Sequence, residues 1–226
     1  MAAWTSSVVA AACIVGSAVI WQRSRVAVRA EFIRNYTLPK GIFDKLRGKH
    51  PSLTVKERQL VTQALRHFFL AYLRAGSRPI SMPSQVVDDL WHEFILYTRT
   101  YEKFCGKAFG RFLHHTPAAV LGSVQAQNTG LRRCWTHACR EEGINPKKPT
   151  RVPLLFAIDR KLNIPGGFLY VVDCNSIGRR DKDGRVVHCG GDFTSCGGSG
   201  DGSLFDFSSD SGCSGDSGCS GGCGGD

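Results

Sequence analysis

Several residue types are missing from parts of this sequence. Residues 2–21 contain no charged side chain, and no Lys or Arg follows residue 191, although the chain has 29 of them. The 10 cysteines follow no standard zinc-binding spacing, and no aromatic RNA-reading motif is present. These absences argue against a zinc finger and an RNA-recognition fold, so other features must indicate the function.

The uncharged N-terminal segment is long enough to cross a bilayer. Residues 2–21 would span about 30 Å as a helix, which matches the hydrocarbon core. Its ends carry Trp4 and Trp21, and the basic residues follow on one side: Arg23, Arg25 and Arg29. We expect a retained single-pass anchor with its N-terminus outside and the main domain in the cytoplasm. The alternatives are a cleaved signal peptide, although no basic residue precedes the apolar run, and an amphipathic surface helix.

Charge divides the chain into two parts. Residues 1–191 hold 29 basic and 13 acidic residues, a net charge of +16, whereas residues 192–226 carry −6. A basic body beside an anchor favours anionic lipid headgroups as partners, with a protein partner as another candidate and nucleic acid as the weakest. The cytoplasmic location predicts that the cysteines of the body are free thiols.

Helical periodicity predicts two strong helices. Thr54 and Glu57 form a capping-box pattern before a helix over residues 55–75. A second helix is expected over Ser84–Cys105, because one stripe recurs along it at spacings of four and three: Val87, Trp91, Phe94, Thr98, Tyr101 and Cys105. This stripe should face the core.

The second half is less regular. Thr116 and Pro117 could start a helix, and Leu131–Glu141 predicts another that ends before Gly143. Leu154–Ile158 and Phe168–Val172 could pair as a small β-hairpin or pack as short helical pieces.

Composition then predicts the domain organisation. Residues 192–226 hold 11 Gly, 9 Ser, 6 Asp and 4 Cys, which predicts disorder because little apolar surface can be buried. The expected fold class is mainly α. Four segments follow: an anchor at 2–21, a basic juxtamembrane linker and helix at 22–53, a helical domain at 54–191 and a disordered tail at 192–226.

One stretch resembles a known family. Asp88–Cys105, followed by Gly110, Phe112 and His114–Pro117, is similar to the bacterial glycine-rich domain-containing proteins and their plant relatives. The resemblance implies a helical domain with a glycine-rich tail and brings no established reaction. The plant-type motif is similar to Trp-His-x-His, and Phe94 stands here at its second His position.

His92 is the sharpest single candidate for a functional residue. Asp88 precedes it by one helical turn and could orient the imidazole, while Arg99 follows two turns later on the same flank. This flank lies away from the apolar stripe, so a solvated or locally paired histidine is the alternative.

A metal site could form from Cys105, His114 and His115, which supply one thiolate and two imidazoles for zinc or another transition metal. The alternative is that Cys105 is a buried apolar side chain and that one histidine caps a helix. Cys105 and His92 would lie about 20 Å apart on one straight helix and could not share an ion.

These candidates leave three functions open. The first is a membrane-anchored binding or interaction module, with or without a bound metal. The second is a metal-dependent enzyme at His92 or at the Cys105 site, and the third and weakest is RNA binding. Asp173 and Cys174 follow a predicted strand end but have no identified base. In the tail, an apolar group is expected to dock on the basic body: Leu204, Phe205 and Phe207.

Overall fold

The computed structural model describes residues 2–115, 124–172 and 187–193, and within them the fold is mainly helical. Seven helices and two short strands occur in this part of the chain, followed by a 3-10 turn at Gly190–Phe193. The elements in order are α1 Ala2–Asn35, α2 Ile42–Lys49, α3 Val55–Arg74, α4 Gln85–Leu96, α5 Thr98–Phe109, α6 Val124–Glu141, α7 Leu154–Lys161, β1 Leu169–Val171 and β2 Val187–Cys189.

Helix α3 is the central element, since it contacts α1, α4, α6 and α7. Its start confirms the predicted capping box: the Thr54 side chain accepts from the Glu57 amide, and the Glu57 carboxylate accepts from the Thr54 amide at 2.7 Å. Phe69 lies at the middle of the core, with ring centroids 5.0 to 6.4 Å from those of four aromatic residues: Trp91, Phe94, Phe104 and Phe109.

The predicted single helix over Ser84–Cys105 is wrong, because the chain turns at Tyr97 between α4 and α5. The indole of Trp91 donates to the hydroxyl of Tyr101 at 3.1 Å. Residues ten apart in a straight helix would lie about 15 Å apart, so this bond requires the turn. The apolar stripe is otherwise confirmed: its members are buried except Thr98, and the turn lets both halves face the core.

A buried carboxylate joins α7 to the start of α4. Asp159 is 2% exposed, and its oxygens accept from the Ser84 hydroxyl at 2.7 Å, the Gln85 amide at 2.8 Å and the Phe168 amide at 3.0 Å. The Val86 amide also donates to it. Asp159 thereby satisfies amides at the first turn of α4, which have no partner within the helix, and fixes where α4 begins.

Of the two alternatives for Leu154–Ile158 and Phe168–Val172, the hairpin is wrong, and the helical one is confirmed for the first run. Leu154–Lys161 is a helix, and β1 pairs in parallel with β2, with Leu169 opposite Val187 and Val171 opposite Cys189. Two apolar runs that are close in sequence cannot form a parallel pair without a long crossover, so the second strand comes from farther along the chain.

No helix in the described part of the chain has the length and sustained apolar character needed to cross a bilayer. This finding corrects the predicted single-pass anchor at residues 2–21, and with it the membrane location and the topology drawn from it. The apolar side chains described in residues 13–21 are exposed, among them Ile14 at 70% and Trp21 at 62%.

The cysteines of the body divide into two groups. Cys105, Cys134 and Cys139 are free and buried, as expected, and burial raises the pKa of the Cys105 thiol. The expectation of free thiols is wrong for Cys189, which is disulfide-bonded.

Several predictions lie outside the described residues: the helix start at Thr116 and Pro117, the strand-end pair Asp173 and Cys174, and the tail with its docking residues Leu204, Phe205 and Phe207. The chain divides into a unit at Met1–Thr194 and a unit at Ser195–Asp226, and the described residues all belong to the first. The four predicted segment boundaries stay predictions, apart from the anchor.

Candidate metal centre

Helix α4 supplies two ligand types from adjacent turns. Asp88 lies in its first turn, where a carboxylate is favoured by the helix dipole, and His92 follows four residues later on the same side. The Nδ1 atom of His92 lies 3.7 Å from Oδ2 of Asp88. The His92 side chain is 44% exposed, so this flank faces solvent as the sequence predicts.

The third member comes from the chain segment after α5. That helix ends at Gly110, whose φ of 75° lets the chain reverse, and the Tyr101 hydroxyl then donates to the Leu113 carbonyl at 2.7 Å. This bond holds the returning segment against α4. Its end brings Nε2 of His115 to 2.9 Å from Oδ1 of Asp88.

The position of His115 is further fixed by ring contacts. Its ring centroid lies 4.6 Å from that of Trp91 and 4.2 Å from that of His92. Trp91 is itself buried in the core, so one face of the His115 ring lies against a rigid surface. The side chain of His115 is 15% exposed, the least exposed of the three.

Together the three residues form a cluster with the donor types of a transition-metal site. One ligand atom from each of Asp88, His92 and His115 lies within 4.8 Å of the other two. Ligand atoms around a tetrahedral zinc ion lie about 3.3 Å apart, because each bond is about 2.0 Å long. Small side-chain rotations are therefore enough to close the cluster on an ion, and we call these three residues the Asp88 cluster.

A second polar group on α4 has a different composition. Asp89 and Glu93 also lie four residues apart, and α2 brings two basic groups to them. Nζ of Lys49 lies 2.9 Å from Oε1 of Glu93, and Nε2 of His50 lies 2.9 Å from Oδ2 of Asp89. The carboxylates of this Asp89 cluster are paired with side chains of the protein itself, which indicates a structural role.

The other predicted site residues lie apart from the Asp88 cluster. The Cys105 thiol is buried, and desolvation raises its pKa against the opposing hydrogen bonds from Leu113 and Tyr101, which disfavours the thiolate that zinc requires. His114 packs against the Phe112 ring at 4.8 Å, and neither Cys105 nor His114 belongs to the metal-competent group found among the described residues. Arg99 is exposed on α5, beyond the turn at Tyr97, so it does not continue the flank of His92.

Sequence reasoning named all three members of the Asp88 cluster but divided them between two sites. It placed Asp88 and His92 correctly on one flank of a helix, because that relation is local. It assigned His115 to Cys105, because the two are close in sequence and the glycines between them would let the chain fold back. Periodicity gave no sign of the turn, since Trp91 and Tyr101 would lie on one stripe of a straight helix as well.

The architecture and this cluster define a mainly helical domain with a carboxylate and two imidazoles converging on one flank of α4. The sequence profile of the UCP032817-like family matches residues 28–193, which is more than half of the chain, so the protein belongs to that family. No curated protein matches the chain. No solved structure matches it either.

The family match corrects the resemblance to the glycine-rich domain-containing proteins. The matching family is a different one, and the match stops at residue 193, where the Gly/Ser/Cys/Asp-rich segment begins. The residues that carried the resemblance include Trp91, Tyr101 and Cys105, which are buried packing positions of the helical core. Such positions report how helices pack and are weak evidence for one family.

Proposed function

We propose that this protein is a metal-binding helical domain that holds a divalent transition-metal ion at Asp88, His92 and His115. The observation that carries the proposal is the mutual distance of their ligand atoms, all within 4.8 Å. The three residues come from two separate elements, and the return of the chain after α5 is fixed by the buried hydroxyl of Tyr101.

The donor set favours a particular class of ion. Two imidazoles and one carboxylate suit zinc, copper, nickel or iron, whereas calcium and magnesium prefer sites made of oxygen ligands. One carboxylate and two neutral imidazoles contribute a charge of −1 against +2 on the ion. The bound ion would keep a net positive charge and could polarise a further ligand.

Charge balance also favours this cluster over its neighbour on α4. The nearest side-chain partners of Asp88 are the two histidines, each of which can release a proton and ligate a metal. Asp89 and Glu93 are instead held by Lys49, whose ammonium group would repel a cation. Electrostatics therefore favours a metal ion at the Asp88 cluster and disfavours one at the Asp89 cluster.

A metal-dependent hydrolase is a second candidate, and the exposure of His92 favours it. Three protein ligands leave a fourth position for water or substrate, which is the pattern of catalytic zinc sites. The carboxylates beside the cluster are paired with Lys49 and His50, so metal-bound water would have to act without a free carboxylate base among the described neighbours. Turnover of an activated ester by the zinc-loaded protein, lost in His92→Ala, would support this candidate.

Metal binding itself is tested by calorimetric titration of the full chain, purified without a His tag, with zinc and with cobalt. We expect one ion per chain, and a loss of at least about 100-fold in affinity in His92→Ala and in His115→Ala, because even outer-sphere partners of a metal ligand contribute 10- to 100-fold. His50→Ala is the matched control, since it removes a histidine bound to an aspartate on the same helix. Binding that is absent, or that survives both ligand variants, would overturn the proposal.

A further inference from the structure

Several guanidinium groups surround the loop that follows α3. Arg111, from the segment after α5, donates to the Ser77 carbonyl at 2.6 Å. Arg133, from α6, donates to the Pro79 carbonyl at 2.6 Å. These carbonyls belong to residues two apart in the chain, at most about 7 Å from one another. The exposed Arg78 lies between them.

Helix α6 extends this basic group along its length. His137 follows Arg133 by about one turn, and the exposed Arg140 follows by another. Burial, and then the charges of Arg140, Arg74, Arg78 and Arg133 in that order, together lower the pKa of His137 to about 4. The imidazole is therefore neutral near pH 7 and can accept or donate a hydrogen bond.

The loop that carries Arg78 is held firmly against α6. Gly130 of α6 approaches Ser81 so closely that a Cβ atom there would lie 2.4 Å from the Ser81 hydroxyl oxygen and 3.0 Å from its backbone nitrogen. On the other side, the amide of Ser77 donates to the Tyr72 carbonyl at 3.1 Å and closes the end of α3. The arginines that bond to this loop are consequently placed on a rigid support.

The charges of this group are not balanced by carboxylates. Arg34 and Arg74 both pair with Glu141, but no ion pair within the described ranges involves Arg78, Arg111, Arg133 or Arg140. Arg111 and Arg133 use part of each guanidinium on backbone carbonyls and keep other N–H groups for a further acceptor. Arg78, Arg111 and Arg133 lie around one loop, and the charge of Arg140 reaches the same region at His137. Such cations repel each other unless an anion joins them.

We infer that these four arginines, which we call the arginine cluster, form a binding site for a ligand that bears several phosphate groups. Guanidinium groups bind phosphate oxygens with paired, charge-assisted hydrogen bonds, and four of them exceed the charge of a single phosphate. The neutral His137 adds a donor that does not oppose the ligand. The same chemistry fits a soluble oligophosphate and a phosphorylated lipid headgroup.

The site is tested by calorimetry of the full chain with inorganic tripolyphosphate at constant ionic strength. The variant is Arg78→Gln with Arg140→Gln, because both side chains are exposed and neither holds a backbone carbonyl in the described structure. We expect its affinity for tripolyphosphate to fall at least about tenfold. The control is Lys45→Gln with Lys56→Gln, which makes the same change of charge; Lys56 lies near the opposite end of α3, about 27 Å along the helix from Arg74.

Two further measurements distinguish a phosphorylated lipid headgroup from a soluble oligophosphate. Sedimentation with phosphatidylcholine vesicles, with and without phosphatidylinositol bisphosphate, identifies a lipid headgroup if the charged vesicles bind and tripolyphosphate competes. Tripolyphosphate binding without vesicle binding identifies a soluble ligand, and both results support the site. Absent tripolyphosphate binding, equal losses in the arginine variant and the lysine control, or binding restricted to single-stranded RNA would overturn the inference.

Discussion

Helix α4 carries two polar clusters on neighbouring flanks, and they differ in what the rest of the chain brings to them. Asp88 and His92 meet His115 from the segment after α5, whereas Asp89 and Glu93 meet Lys49 and His50 at the end of α2. Both clusters use the same spacing of four residues on one helix. Only the incoming groups decide whether the carboxylate is neutralised by a fixed ammonium or left beside two potential metal ligands.

The largest expected effect comes from breaking both clusters together. Asp159→Ala would leave the buried Ser84 hydroxyl and three backbone amides without their acceptor, at a cost of about 3 to 5 kcal/mol of unfolding free energy. Because these groups define the start of α4, metal affinity should fall as well. Urea unfolding with a metal titration measures both effects, and a loss below about 1 kcal/mol would show that α4 begins correctly without this carboxylate.

A smaller change should separate the clusters. Tyr101→Phe removes the hydroxyl that accepts from Trp91 and donates to Leu113, and we expect it to lower stability by about 1 to 2 kcal/mol. Burial raises the pKa of Tyr101, so in the native protein this donor stays protonated across physiological pH. Loosening the segment that carries His115 should weaken zinc binding about 10- to 100-fold.

The readout for the other flank is the histidine at position 50. Its ring chemical shifts at a fixed pH should be the same in the Tyr101→Phe variant and the native chain, because its partner Asp89 belongs to the other cluster. A change of those chemical shifts, or unchanged zinc affinity, would contradict the proposed independence of the two flanks.

The contrast between the clusters also shows which parts of the fold a sequence can predict. The capping box of α3 and the stripe of α4 follow from contacts within one helix, so their spacing is visible in the sequence. The turn at Tyr97 and the approach of His115 depend on which surfaces share a core, and periodicity carries no signal for that. The parallel pairing of β1 with β2 is of the same kind, since nothing local distinguishes it from a hairpin.

The N-terminal prediction failed for a related reason. A run of uncharged residues suggests that a segment could cross a bilayer, whereas α1 continues past this run through charged residues and packs on the domain through Ala30 and Ile33. A composition argument treats the helix as isolated and cannot show where its packing on a domain begins.

The dependence of stability on pH gives a further test, on a histidine that belongs to neither cluster. The pKa of His137 is lowered to about 4 by burial and neighbouring arginines, so the unfolded chain binds one more proton than the folded chain between pH 6.5 and 4. Stability should therefore fall as the pH drops through this window, by about 1 kcal/mol at pH 5 once the partial exposure of the ring is allowed for. His137→Gln should flatten this part of the curve, and an unchanged slope would show that the ring is not held neutral.

The smallest expected effect tests whether the Asp89 cluster is only structural. Lys49→Met removes an ammonium group 2.9 Å from Glu93 and keeps most of the apolar stem, and Lys49 is largely exposed. Exposed ion pairs contribute about 0.2 to 1 kcal/mol, so the unfolding free energy should change by no more than that.

A zinc titration of the Lys49→Met variant tests the role of the ammonium in metal binding. If the ammonium is what directs the ion to the other flank, this variant should acquire weak zinc binding at Asp89, Glu93 and His50 when His92 is also changed to Ala. A double variant that binds no zinc would mean that the geometry of the Asp89 cluster, and not its charge balance, keeps metal away.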